Sequence, residues 1–171
     1  MKIRPLLLAL AFASVAHAAP IPGDSSEARA FVDAHNAVRA KVRPPEGYAG
    51  PWTPLPPMAW SDELAGTAQA WADHLRDDNK CKLQHSDANL GENLAMGKGL
   101  DIAQAVSMWA KEGEHYVYSP SYEFDIPTGH YTQVVWRKST QLGCGVAHCG
   151  RTNIMVCNYS PPGNHIGKPP Y

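Results

Sequence analysis

The residues able to do chemistry fall into a few sequence groups. Cys81, Cys144, Cys149 and Cys157 can pair as two disulfides wherever the chain meets an oxidising compartment. Ser139, behind Arg137 and Lys138, and Ser86, behind His85, are the serines a hydrolase could use as a nucleophile. Neither stands in a Gly-x-Ser-x-Gly elbow, and no His-Glu-x-x-His string offers a helix-borne zinc site. Ser139 lies past the end of a β-rich run and is expected to be solvated. Tyr116, Tyr118, Tyr122, Phe124 and Ile126 crowd a segment broken by Pro120 and Pro127. An irregular apolar stretch of this kind either covers the core or presents a surface for a ligand. Among the eight histidines, His35 reads as a hydrogen-bonded core residue, and His74, His115 and His148 as surface residues.

These groups need a scaffold, and hydrophobic periodicity supplies one. Asp24 is expected to cap a first helix whose stripe is Phe31, His35, Val38 and Val42. The Pro/Gly-rich stretch from Pro44 to Pro57 must be a long loop, held to the domain by Tyr48 and Trp52. Ser61 caps a second helix with the stripe Leu64, Ala68, Trp71 and Leu75, and a third begins near Asp101 and buries Ile102, Val106 and Trp109. From Gly129 onward the pattern turns β-rich, with strands expected at 131–136, 143–147 and 154–159. The last two flank Gly150-Arg151 and should form an antiparallel hairpin. A turn centred between those residues sets Cys144 opposite Cys157, close enough to bridge, and leaves Cys81 to Cys149. Trp60, Trp71, Trp109 and Trp136 read as core. Helices followed by antiparallel strands indicate an α+β domain.

Composition sets the outer bounds. The 171 residues carry 15 Lys+Arg against 16 Asp+Glu, a formal charge of −1, with 44% hydrophobic and 18% charged residues. No concentrated basic surface exists to attract nucleic acid, and the length suits one core. Lys2, Arg4, the apolar run 6–13 and Ala16-His17-Ala18 have the form of a cleaved leader, residues 1–18. The remaining domain, 19–171 with 165–171 as a short tail, would be a soluble monomer without a transmembrane segment. It would be secreted, or periplasmic in a Gram-negative cell.

Four strings resemble the motifs of the CAP superfamily, the cysteine-rich secretory, antigen 5 and pathogenesis-related group 1 proteins. They are His35–Arg39, Gly91–Leu94, Gly129–Ser139 and Ile154–Asn164, in family order. The plant pathogenesis-related members look most similar. The resemblance implies a three-layer α-β-α sandwich with a small antiparallel sheet between helices. It also implies a cleft tetrad, His85, Glu92, Glu112 and His130, with Glu114 competing for the place of Glu112. In such proteins the two histidines are the metal contacts, here for Zn or another divalent cation, none obligatory. Sterols and other lipids are taken by a loop matching the one from Tyr116 to Ile126, and a Ser-His-Glu arrangement through Ser139 has been proposed for some members. The sequence departs from the plant pattern in having four cysteines rather than six, an insertion at 87–90, and His165 after Gly163-Asn164. The expected work is binding, of a lipid or of a host or cell-surface protein. The alternatives are a secreted hydrolase using Ser139 or a metal-bound water, and an extracellular signalling ligand of defence or virulence type.

Overall fold

Strands β3 (Gln141–Cys149) and β4 (Thr152–Ser160) form the predicted hairpin about Gly150-Arg151 in this computed structural model, which describes residues 17–122 and 124–171. The leader expectation falls mainly on residues 1–16, outside the described residues. Cys144 pairs directly with Cys157 in the antiparallel register and is bonded to it, with 4.1 Å between their Cα atoms. Cys81 and Cys149 form the second disulfide, joining the segment after the second helix to the hairpin end.

Period-two alternation on β4 builds two cores. Met155, Cys157 and Tyr159 face one layer, and Ile154 and Val156 the other. On one side lies α2 (Asp62–Asp77), N-capped by Ser61 as its sequence implies. It approaches closely because Gly143 and Gly145 have no side chains: a Cβ there would run into the backbone of Ala65 or Gln69. On the other side α1 (Ser26–Arg39) packs with α3 (Ile102–Lys111), whose Asp101 and Gln104 make a reciprocal capping box. The short helix α4 (Gly129–Val134) completes that layer. The expected α-β-α sandwich is present.

Several local expectations change. Ser25, not Asp24, caps α1, and the buried stripe runs from Phe31 and His35 to Arg39, because the helix ends before Val42. The sheet is mixed: its order is β1-β3-β4-β2, and β1 (Ala59–Trp60) runs parallel to β3. Its edge strand β2 (Gly91–Lys98) was not anticipated, since Gly, Glu and Asn open it with weak strand propensity. The expected strand at 131–136 is largely α4. Thr132, Gln133 and Val134 are buried together, so tertiary contacts decide a short apolar run that periodicity alone cannot assign. Trp109 and Trp136 are core, whereas Trp60 and Trp71 are only partly buried. Trp71 stacks on His74 at 4.6 Å and donates its indole N–H to the Gln84 carbonyl. The segment 165–171 is held down as well: Arg137 N–H donates to the Pro170 carbonyl, and the Tyr171 ring lies 5.7 Å from Trp52 and 6.3 Å from Tyr118.

His35 is the buried histidine its stripe implied. Its Nδ1–H donates to the Phe31 carbonyl at 2.7 Å, so Nε2 accepts from Tyr159 Oη–H at 2.9 Å. Burial pushes its pKa from 6.5 down to about 4. A depressed histidine pKa means that the unfolded chain binds the proton first. The stability is present above pH 6.5 and is lost as pH falls toward 4, by about 3 kcal/mol. Urea denaturation at pH 7 and pH 4.5 should show this loss, and His35→Gln should remove most of the pH slope.

Candidate functional site

Two histidine–carboxylate pairs are assembled from four segments. Glu92 is the second residue of β2, opposite Asn158 of β4, and its side chain is only 6% exposed. Its Oε1 accepts from His85 Nδ1 at 2.7 Å and from Ser86 N–H at 2.9 Å; its Oε2 accepts from the Ser86 hydroxyl at 2.7 Å. Burial alone would push the Glu92 carboxyl up, but the hydrogen bonds from His85 and Ser86 outweigh it and hold the group below the ordinary carboxylate range. The same hydrogen bond raises the His85 imidazole above its ordinary value against partial burial.

The second pair joins the end of α3 to the start of α4. Glu112 opens a single 3-10 turn directly after α3 and sends Oε1 to His130 Nδ1 at 2.6 Å. Its Oε2 accepts the backbone N–H of His130 at 2.9 Å and of Tyr131 at 3.2 Å. A carboxylate at a helix N-terminus satisfies orphan donors and complements the dipole. Glu114 is exposed and lines a different depression with Val38, Lys41 and Tyr131, so Glu112 is the partner of His130. Asn93, beside Glu92, donates to the His130 carbonyl at 3.0 Å and to Tyr159 Oη at 3.1 Å. A hydrogen-bonded line therefore runs from His35 through Tyr159 and Asn93 to His130.

His85, Glu92 and His130 line one cleft of about 300 Å³, together with Asn93, Phe124, Ile126, Asn164 and Ile166. With each Nδ1–H given to a carboxylate, each imidazole has Nε2 left as a lone-pair donor, the arrangement that orients metal-binding histidines. Two such nitrogens suit a divalent ion with Zn-like preferences but leave a tetrahedral ion two further positions to fill. Among the described residues, no group of three or more His, Cys, Asp or Glu side chains is placed to hold a metal. The donor set thus fits reversible ligation rather than a closed structural centre.

Ser139 is elsewhere in role. It is 0% exposed, a correction to the expected solvated serine, because the chain turns inward after α4. Its hydroxyl donates to the Pro161 carbonyl at 2.7 Å and accepts from Gln133 Nε2 at 3.1 Å. Ser86 likewise spends its proton on Glu92. The aromatic segment divides. Tyr122 is buried with its hydroxyl 3.3 Å from Thr132 Oγ1, and Tyr116 and Tyr118 pack against Tyr171. Phe124 and Ile126 instead stand 43% and 80% exposed at the cleft, joined by Ile166 at 83%. Asn164 closes a motif string but was not assigned to the cleft, and Ile166 was missed altogether. The only available signal was one apolar residue isolated in a Pro/Gly-rich tail.

Comparison with known proteins gives a consistent result. The sequence model described as "Cysteine-rich secretory protein family" (CAP) matches residues 32–159. Pathogenesis-related protein 1C of Nicotiana tabacum is 43% identical over 145 residues, 82% of this chain and 79% of that protein. Pathogenesis-related protein PR-1 of Medicago truncatula is 38% identical, covering 96% and 94%. Among solved structures, NaASP2, determined with Zn2+, superposes with a TM-score of 0.67 at 31% identity, covering 90% of both chains. Schistosoma mansoni venom allergen-like protein 4 gives 0.66 at 29% identity, covering 86% of this chain and 94% of that one.

Proposed function

The chain belongs to the cysteine-rich secretory protein (CAP) family, and from that premise we propose that it is an exported binding protein whose cleft takes an apolar ligand, a sterol or another lipid. The observation that carries this reading is the composition of the cleft. Exposed Phe124, Ile126 and Ile166 stand beside imidazoles already fixed by carboxylates, while the Ser139 hydroxyl is buried and committed. Covering apolar surface gains roughly 25 cal/mol per Å², and a rigid sterol loses little conformational freedom in docking. His85 and His130 would hold a divalent ion such as Zn2+ through Nε2. When bound, the ion would supply a polarising charge for an oxygen-bearing group. Export is supported by the family, whose members are generally secreted, and by the two disulfides.

Binding of a fluorescent sterol by the purified protein tests the reading. Phe124→Ser/Ile126→Ser should weaken binding about a hundredfold or more, since two buried side chains at about 1.5 kcal/mol each sum to about 3 kcal/mol. Tyr122 is unsuitable as a probe because it supports the core. His85→Ala/His130→Ala should bind the sterol within about twofold of the parent, a difference of about 0.4 kcal/mol. Turnover of peptide or ester substrates that disappears in the double-histidine variant would replace the binding reading with a hydrolytic one.

A further inference from the structure

Asp73, on α2, is a carboxylate with 1% side-chain exposure, and one of its oxygens faces the start of the domain. Its Oδ1 is held by Arg76 at 2.8 Å and approached by Gln69 Nε2 at 3.4 Å, and Gln69 is itself fixed to Val146 of β3 by two hydrogen bonds. The partner of Oδ2 is the backbone N–H of Ala18, at 3.1 Å. Three residues further on, Ile21 is buried in the core, while Ala19 and Pro20 between them are exposed. The chain is thus docked on both sides of the expected cut, by a polar contact at the last leader residue, Ala18, and by the buried Ile21 of the segment that follows.

Ala18 is also the last residue of the small-residue box at which a leader peptidase would cut. Hydrolysis of the Ala18–Ala19 amide by water leaves a carboxylate on the departing Ala18 and a protonated amine on Ala19. It also removes the only hydrogen-bond donor to Asp73 Oδ2 among the described residues. The 1% exposure of Asp73 belongs to the uncut chain; departure of Ala18 uncovers Oδ2 and leaves it open to a new donor. The new terminus lies one residue, about 3.5 Å of chain, from the vacated position and is tethered at Ile21.

We propose that Asp73 receives the processed N-terminus, so that maturation exchanges an amide–carboxylate hydrogen bond for an ion pair between the Ala19 α-ammonium and Asp73. The surrounding groups favour a cation. Glu27 from α1 and Asp101 before α3 line the same depression as Ala18 and Ala19 and draw a cation toward it; His148 from β3 also lines it, and on α2 the charge of Arg76, which would oppose a second cation, is shared between Asp73 and Asp77. The ion pair fixes the segment that forms one wall of this depression, and it exists only in the exported, cut protein.

The test uses protein recovered after export. Intact mass should place the terminus at Ala19. The α-amine should titrate above its ordinary value of about 8, so that its acylation at pH 7.5 is about tenfold slower than in Asp73→Asn, one unit of displacement being tenfold in free amine. A raised amine pKa gives stability present below pH 8 and lost as pH rises through the folded value. The melting temperature of the processed protein should therefore fall on alkalinisation toward pH 10, while an Nα-acetylated sample, which needs no substitution and keeps Asp73, should lack that fall. A terminus elsewhere than Ala19, an α-amine titrating at its ordinary value, or identical alkaline profiles for free and acetylated protein would each overturn the assignment.

Discussion

Changing both His85 and His130 to alanine is expected to remove Zn2+ binding from the folded protein, with at least a hundredfold loss of affinity by calorimetric titration. Their imidazoles are the nitrogen donors lining the cleft, and each has its Nδ1 committed to a carboxylate at 2.7 or 2.6 Å. The fold should survive, because His85 is mostly exposed and His130 partly so. Glu92→Gln and Glu112→Gln should each cost about 10–100-fold, the usual effect of losing the group that orients a ligating histidine. Glu112→Gln carries an additional penalty, since its carboxylate also receives two backbone N–H groups of α4. Metal and proton compete for the same ring nitrogen. The raised pKa of His85 therefore makes affinity fall with acidification from a higher pH than an isolated imidazole would set. Equal Zn2+ affinity in the parent and the double-alanine variant would place any metal outside this cleft.

Arg39→Met is expected to destabilise the protein by about 3–5 kcal/mol, the range in which several buried acceptors lose a charged donor at once. Arg39 is buried, and among the described residues its guanidinium has no carboxylate as a hydrogen-bond partner. Nη1 donates to the carbonyls of Val134 and Trp136, each at 2.9 Å, and Nε and Nη2 donate to Pro56 at 3.0 and 2.8 Å. Burial presses its pKa down to about 10, so it is still a cation at neutral pH. It sits where the C-terminal carbonyls of α4 point, while Glu112 sits at the N-terminus of the same helix. The two ends of α4 are thus met by opposite charges, each matching the dipole. Since α4 carries His130, the substitution should also weaken Zn2+ binding more than its distance from the cleft suggests. Arg39→Lys should recover only part of the loss, because an ammonium cannot reproduce the planar fork. Urea denaturation of the three proteins measures the stability, and unchanged midpoints would show that the carbonyl cluster contributes little.

Both predictions rest on contacts that differ in how far the sequence revealed them. The hairpin register followed from a two-residue turn and strict alternation, and it fixed both disulfides. The helical stripes of α1, α2 and α3 were legible because a period of 3.6 marks a buried face locally. The motif strings picked out Glu92 and His130, and Glu112 through its distance from Trp109. Arg39 ends the motif string His35–Arg39, yet nothing in its neighbours indicates a buried cation holding three carbonyls. Ser139 was misread for a related reason: flanking Arg137 and Lys138 suggest a solvated position, and burial there is imposed by Pro161 and Gln133 from other segments.

The sequence by itself determined which segments are amphipathic, where the chain turns back and which family the motifs resemble, because each is written within a few neighbouring residues; the hairpin turn set Cys144 opposite Cys157 and left Cys81 to Cys149 by elimination. Only the tertiary structure decided that 129–134 is helix, that Glu112 rather than Glu114 reaches His130, and that the aromatic segment divides between core and cleft. Those outcomes depend on which backbone donors and apolar surfaces are left unsatisfied once the sheet and helices have packed. That balance is a property of the assembled layers, and no single segment contains it.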